Sequence, residues 1–222
     1  MRLARVLASE ALGTAFLLTV IVGSGIMAER LAGGNVALTL LANALATGAG
    51  LTALILAFGA VSGAHFNPVV TLAEAMEGRM SGQLAVAYVL TQICGAIAGV
   101  AGAHAMFAEP VISYSIHARS GWPQWWSEFV ATAGLLLIIR GVSRSRPSAT
   151  PFAVGAYIAS AYWFTASTSF ANPAVTLART LTATFAGIRP VDAPGFIAAE
   201  LLGAVAATLL GRWLFHPAPA IS

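Results

Sequence analysis

Residues His65–Glu74 read HFNPVVTLAE, and residues Phe170–Arg179, in the other half of the chain, read FANPAVTLAR. Each Asn-Pro pair opens an apolar piece, Pro68–Met76 or Pro173–Ala183, of about ten residues, which makes only about 15 Å of helix. Asparagine suits an N-cap, and proline suits the first helical turn, where its missing N–H would be unpaired anyway. Two matched short helices are therefore expected, and everything around them is far more apolar than a water-soluble domain tolerates. The chain is 58% hydrophobic and 9% charged, with a mean hydropathy of +0.83, against roughly 45–50% and about 25% in soluble domains. Its solvent is a bilayer, and its length allows about six spans of about 20 residues each.

Hydropathy and the Gly, Pro and charge punctuation place these spans at Val6–Ala28, Asn35–Val61, Gln83–Phe107, Gln124–Val142, Pro151–Ala166 and Pro194–Leu214. The Asn-Pro pieces are too short to cross roughly 30 Å of hydrocarbon and are expected as half-spans. The first apolar run is full length and lacks a convincing cleavage site, so it is expected to be retained as a span rather than removed as a signal peptide.

The basic charge is all arginine. With six spans, Arg2, Arg5, Arg79, Arg140, Arg144, Arg146 and Arg212 fall on one side, which the positive-inside rule makes cytoplasmic, with both termini there. Trp122, Trp125 and Trp126 mark the opposite interface. Arginines at span edges fit a membrane flank and not a nucleic-acid face.

The halves align. SEALGTAFLL at Ser9–Leu18 matches SEFVATAGLL at Ser127–Leu136, and YVLTQICGAIAG from Tyr88 matches FIAAELLGAVAA from Phe196, pairing Gln92 with Glu200 and Gly95 with Gly203. The whole of 1–222 is expected as one channel domain with repeats at about 5–107 and 124–214. Each repeat has an odd number of full spans, so the second copy enters the membrane inverted. The two half-helices then come from opposite sides, and their Asn-Pro caps meet at mid-membrane. Irregular backbone at that depth must be buried or line a watery cavity. The expected cavity is lined by loop carbonyls, with the amides of Asn67 and Asn172 as donors and two positive helix ends at its centre. Such a centre repels cations and orients neutral hydroxylated solutes.

These residues resemble the major intrinsic protein family, the aquaporins and aquaglyceroporins. SGAHFNPVVT and SFANPAVT are similar to its two Asn-Pro-Ala signatures, here with Val69 in the first (Asn67, Pro68, Val69) and Ala174 in the second (Asn172, Pro173, Ala174). Glu10 and Glu128 match its first- and fourth-span glutamates. The resemblance implies an all-α membrane fold of six spans and two re-entrant half-helices, a homotetramer with one pore per subunit, no cofactor, and Glu10 and Glu128 bracing the loops. Glu200 is expected to do similar work, and His65 is expected to be structural or pore-lining.

The resemblance also implies a second constriction formed by Thr47, Ser160, Ser169 and Val175, with Tyr157, Ala161 or Tyr162 open as replacements for Ser160. Most relatives carry arginine where Val175 stands, and the water-selective ones add an aromatic and a histidine at the positions of Thr47 and Ser160. The expected constriction is wide, neutral and hydroxyl-lined. Arg179 lies about one turn beyond Val175 and is not expected to substitute. Val69 adds bulk beside the Asn pair.

The chain offers no nucleophile with a base, no phosphate loop and no metal cluster. Cys94 reads as a small buried hydrophobe, His104 and His117 have no visible ligand partner, and Gly95, Gly99 and Gly203 read as helix contacts. The expected function is a passive channel in an inner membrane for neutral solutes such as glycerol, urea or arsenous acid, with some water. A water-selective pore is the alternative. A coupled transporter would need an ion-binding group at the midplane, for which only Glu10 and Glu128 are candidates. A nonconducting scaffold of the same fold would show no solute-dependent swelling.

Overall fold

The computed structural model describes residues 2–215. The expected domain of 1–222 also includes Met1 and 216–222, which lie outside the described residues. Eight α-helices follow in order: α1 (Arg2–Leu31), α2 (Val36–Ser62), α3 (Pro68–Met76), α4 (Gly82–Phe107), α5 (Trp122–Ser145), α6 (Thr150–Phe164), α7 (Pro173–Ala178) and α8 (Ala193–Leu214). Five of them, α1, α2, α4, α5 and α8, are long and apolar enough to cross a membrane.

The fifth expected span, α6, has 15 helical residues, about 22 Å at 1.5 Å per residue. It stops at Phe164, before the expected Ala166, where hydroxyls compete for the backbone. Thr165 Oγ1 donates to the Ala161 carbonyl, and the Ala166 amide leaves the helix to donate to Ser127 Oγ. The second half-helix is also shorter than expected, because α7 tightens after Ala178 into a 3₁₀ turn, Arg179–Leu181, and Thr182 is extended.

Packing follows the repeat. α1 packs on α4 and α2, as α5 packs on α8 and α6. The half-helices cross over: α3 lies against α4 and α8, and so does α7. α2 meets α6, and α3 meets α7, at the inverted-repeat axis. The expected glycines sit at these crossings. A Cβ on Gly95 would run into the Ala11 backbone, and one on its mate Gly203 would come within 2.6 Å of the Phe129 carbonyl oxygen. Small residues let the helices approach this closely in a bilayer, where burial of apolar surface drives nothing.

Trp122 and Trp126 are exposed at the start of α5, and Cys94 is exposed rather than buried. At the end of the bundle that holds the α4–α5 loop, the chain zips to the segment after α7. Ser113 and Ser115 amides donate to the Leu181 and Thr180 carbonyls, each at 3.1 Å. The His104 ring bridges Val111 O and Thr182 Oγ1 at 3.1 and 2.8 Å, a structural role. The His117 carbonyl accepts from Arg189 N.

Candidate functional site

Each Asn-Pro forms the cap its sequence calls for. Asn67 is extended, its Oδ1 accepts from Val69 N at 3.0 Å, and Pro68 is the first residue of α3. Asn172 does the same for α7, accepting from Ala174 N and Val175 N at 3.0 and 3.2 Å. The other end of each amide crosses the axis: Asn67 Nδ2 donates to Ala171 O at 2.7 Å, and Asn172 Nδ2 donates to Phe66 O at 2.8 Å. An amide nitrogen carries two protons, so each asparagine keeps one donor for a solute.

The loops that descend to these caps hold non-glycine residues in left-handed backbone at matched places: Ala64 and Phe66 in the first, Ser169 and Ala171 in the second, at φ of 48 to 51°. Such conformations persist only where surroundings over-determine them. Glu10 supplies this in the first loop, accepting from His65 N at 3.0 Å, Phe66 N at 2.8 Å and Gln92 Nε2 at 2.8 Å. Glu128 accepts from Phe170 N at 2.9 Å and Ala171 N at 2.7 Å in the second. Glu200, the mate of Gln92, takes Asn172 N and Thr176 Oγ1. The fully buried carboxylates of Glu10 and Glu128 thus spend acceptor capacity on loop backbone, while Glu200 Oε2 has no protein partner among the described residues. Neither Glu10 nor Glu128 lines the cavity between the loops, which leaves a coupled transporter without its midplane ion site.

That cavity has a volume of about 110 Å³. Asn67, Asn172, Thr47, Ser169, Val175 and His65 all line it. His65 is partly buried, with Nδ1 3.0 Å from Thr71 Oγ1. The helical wall is built in repeat pairs: Leu17 with Leu135, Ile21 with Ile139, Leu51 with Ile158, and Val70 with Val175. The lining thus combines aliphatic side chains of α1, α2, α5 and α6 with the loops and their amides.

Three expectations change. Ser160 is exposed on the outside of α6, donating to Tyr157 O, and does not line the cavity. Of its alternatives, Tyr157 is turned to α5 and donates to Ala131 O at 3.2 Å, Ala161 is buried in packing, and Tyr162 stands in the wall with its hydroxyl 3.2 Å from Thr47 Oγ1. Val154, Ile158 and Tyr162 share one helix face at four-residue spacing, a periodicity visible in the sequence. Val69 is fully buried among Leu136, Ala204 and Ala207, so its bulk serves the packing of α3 on α5 and α8 and does not reach the pore; Ala174 is likewise buried in core.

The third change is Arg179. It is 1% exposed and lines the same cavity as Val175. Its guanidinium carbon lies 3.4 Å from the centre of the Phe170 ring, and its Nε donates to the Ala186 carbonyl. The cavity wall is thus neither free of charge nor free of aromatics.

The family model for the major intrinsic proteins matches residues 1–161. Over 210 residues, 95% of this chain and 90% of the relative, the sequence is 55% identical to aquaglyceroporin AqpS of Rhizobium meliloti. The chain belongs to the major intrinsic protein family. Aquaporin Z of Bradyrhizobium diazoefficiens is 30% identical over 163 residues, 67% of each chain. The aquaglyceroporin structure from Plasmodium falciparum shares the fold with a TM-score of 0.78, covering 97% of this chain and 98% of its own at 19% identity. As a major intrinsic protein the chain is an integral membrane channel for small neutral solutes and not an enzyme. The family match ends inside α6, before the second Asn-Pro stretch, and that stretch is where Val175 and Arg179 lie.

Proposed function

We propose that this channel passes small polyhydroxylated neutral solutes, glycerol-like polyols and arsenous acid, with some water, passively and in either direction. The observation that carries the proposal is the mixed lining of the cavity. Leu17, Ile21, Leu51 and Ile158 present an aliphatic face to the C–H edge of a polyol, while Asn67, Asn172 and Thr47 present donors and hydroxyls to its oxygens. A solute with both edges replaces its hydration on one side and loses nothing on the other, which is how diameter and lining donors jointly select. Arsenous acid offers the same three hydroxyls on a similar frame. The name of the Rhizobium meliloti relative, an aquaglyceroporin, agrees with this class.

The site residues proposed for the reading are Asn67 and Asn172 at the centre, with Thr47, Tyr162, Ser169 and Val175 at the constriction. We further propose an inner-membrane orientation with both termini cytoplasmic, on the arginine distribution described above, and a homotetramer, on membership of the family.

Stopped-flow measurements on reconstituted protein with water, glycerol, urea and arsenous acid test this. Flux linear in the solute gradient and indifferent to proton or sodium gradients is expected. Passage of water alone would make the pore water-selective, and gradient-driven accumulation would make it a transporter.

A further inference from the structure

The two half-helices carry the same residue where they line the cavity and opposite charges one turn later. Val70 and Val175 are repeat mates, and both line the cavity. Four residues on, the mates are Glu74 and Arg179. Glu74 is neutralised by Arg79, whose Nε and Nη2 donate to its two oxygens, both at 2.6 Å. Arg179 has no carboxylate within ion-pair distance among the described residues.

The position of Arg179 in sequence puts it beyond the constriction, but its side chain need not stay there. Helical side chains lean toward the N-terminus and cover the turn before their own Cα. Arg179 has helical backbone (φ −69°, ψ −9°), so its long side chain reaches back over Val175 toward the cap at Asn172. Phe170 below the guanidinium and the Ala186 carbonyl on Nε fix its plane. Arg119 also approaches Phe170, at 5.3 Å, but its nitrogens are held by the Ser167 and Gly187 carbonyls. Three lining residues hold a buried polar atom without a protein partner among the described residues, Thr150 Oγ1, Ser169 Oγ and Arg179 Nη1, and the last two belong to the segment around the second Asn-Pro cap. Buried groups of this kind are rarely left unpaired without reason.

We propose that Arg179 is the specificity-determining cation of this pore, donating through Nη1 to an oxygen of the neutral solute in the cavity that Ser169 also lines, and excluding cations by its charge. The inference rests on the polyol reading for the solute, while cation exclusion stands apart from it. Valine at 175 then leaves room for the guanidinium to arrive from one turn away, and the filter keeps its charge while gaining an aliphatic wall.

The test uses full-length protein in liposomes, reading proton leak with an internal pH dye alongside glycerol, ribitol and water flux. Arg179→Met should raise proton leak at least tenfold and narrow the glycerol-to-ribitol ratio at least threefold, with water flux retained. The double variant Val175→Arg/Arg179→Met should restore tightness to protons, which a merely structural role of Arg179 against Phe170 and Ala186 would not allow. Should Arg179→Met fail to assemble, Arg179→Gln, which keeps a donor for Ala186, is read the same way. Parent-like proton tightness and solute ranking in the assembled variant, or leak left unrescued in the double variant, would overturn the proposal. Failure of the polyol reading is seen separately, as absence of glycerol flux in the parent.

Discussion

Asn67 donates its side-chain amide to the carbonyl of Ala171, 2.7 Å away in the opposite repeat, and so ties each half-helix cap to the loop that positions the other. The reciprocal bond from Asn172 to Phe66 closes the pair, and neither loop can shift alone.

Asn172→Ala removes a helix cap and a buried cross-repeat bond together. A cap is worth about 1 kcal/mol and a buried hydrogen bond about as much again, so the loss should be about 1–3 kcal/mol. Thermal unfolding in detergent checks this, with solute flux expected to fall in parallel.

Glu10→Gln keeps the size of the side chain but turns one acceptor into a donor facing the amides of His65 and Phe66. Charge-assisted bonds contribute about 1.5–3 kcal/mol each, and the left-handed Phe66 loses its restraint. A melting temperature and water permeability equal to the parent's would show that the carboxylate braces nothing.

Ser160→Ala should leave the glycerol-to-water permeability ratio unchanged, because Ser160 is exposed and bonded within its own helix. Tyr162→Ala should shift that ratio toward larger solutes, because the ring and its hydroxyl leave the wall beside Thr47. Reversal of the two outcomes would put α6 in the wrong register.

Val175→Arg puts a second guanidinium into a cavity of about 110 Å³ that already holds Arg179. Glycerol and arsenous acid flux should fall at least tenfold while water still passes, and stopped-flow light scattering reads both.

Outside the spans, Asp192 accepts from Arg189 and from the Arg119 amide at 2.8 Å. The Arg189 guanidinium first, and the Arg119 amide after it, hold the carboxyl below the usual aspartate range against the opposing effect of burial. A depressed folded pKa contributes stability above the unfolded value of about 3.9 and loses it as pH falls through the folded value. The difference in melting temperature between parent and Asp192→Asn should therefore be full at pH 6 and gone well below pH 3.9.

The frame of the channel was legible because it is written twice. Asn-Pro pairs, span-embedded Glu10 and Glu128, and the Gln92–Glu200 match each have a mate, and a mated feature has few accidental explanations. Thr47, Ser169 and Val175 were legible as lining residues, but the places of Ser160 and Arg179 were not, because they depend on rotation and reach rather than on residue type. Counting from Asn172 back to α6 crosses an extended loop, and an error of two residues turns a helical position through about 200°, enough to exchange exposed Ser160 for lining Tyr162. Arg179 was misplaced by following its Cα outward along the rise instead of its side chain back. The bulk of Val69 goes into helix packing because adjacent helical positions face about 100° apart, and Val70 is the one that lines the cavity.

The carbonyl row belongs to loops with no regular structure of their own, held by two glutamates rooted in other helices. Descendants of this gene can therefore exchange the residues around the mouth, at 47, 162, 175 or 179, without renegotiating the scaffold, so substrate preference can drift while the architecture stands still.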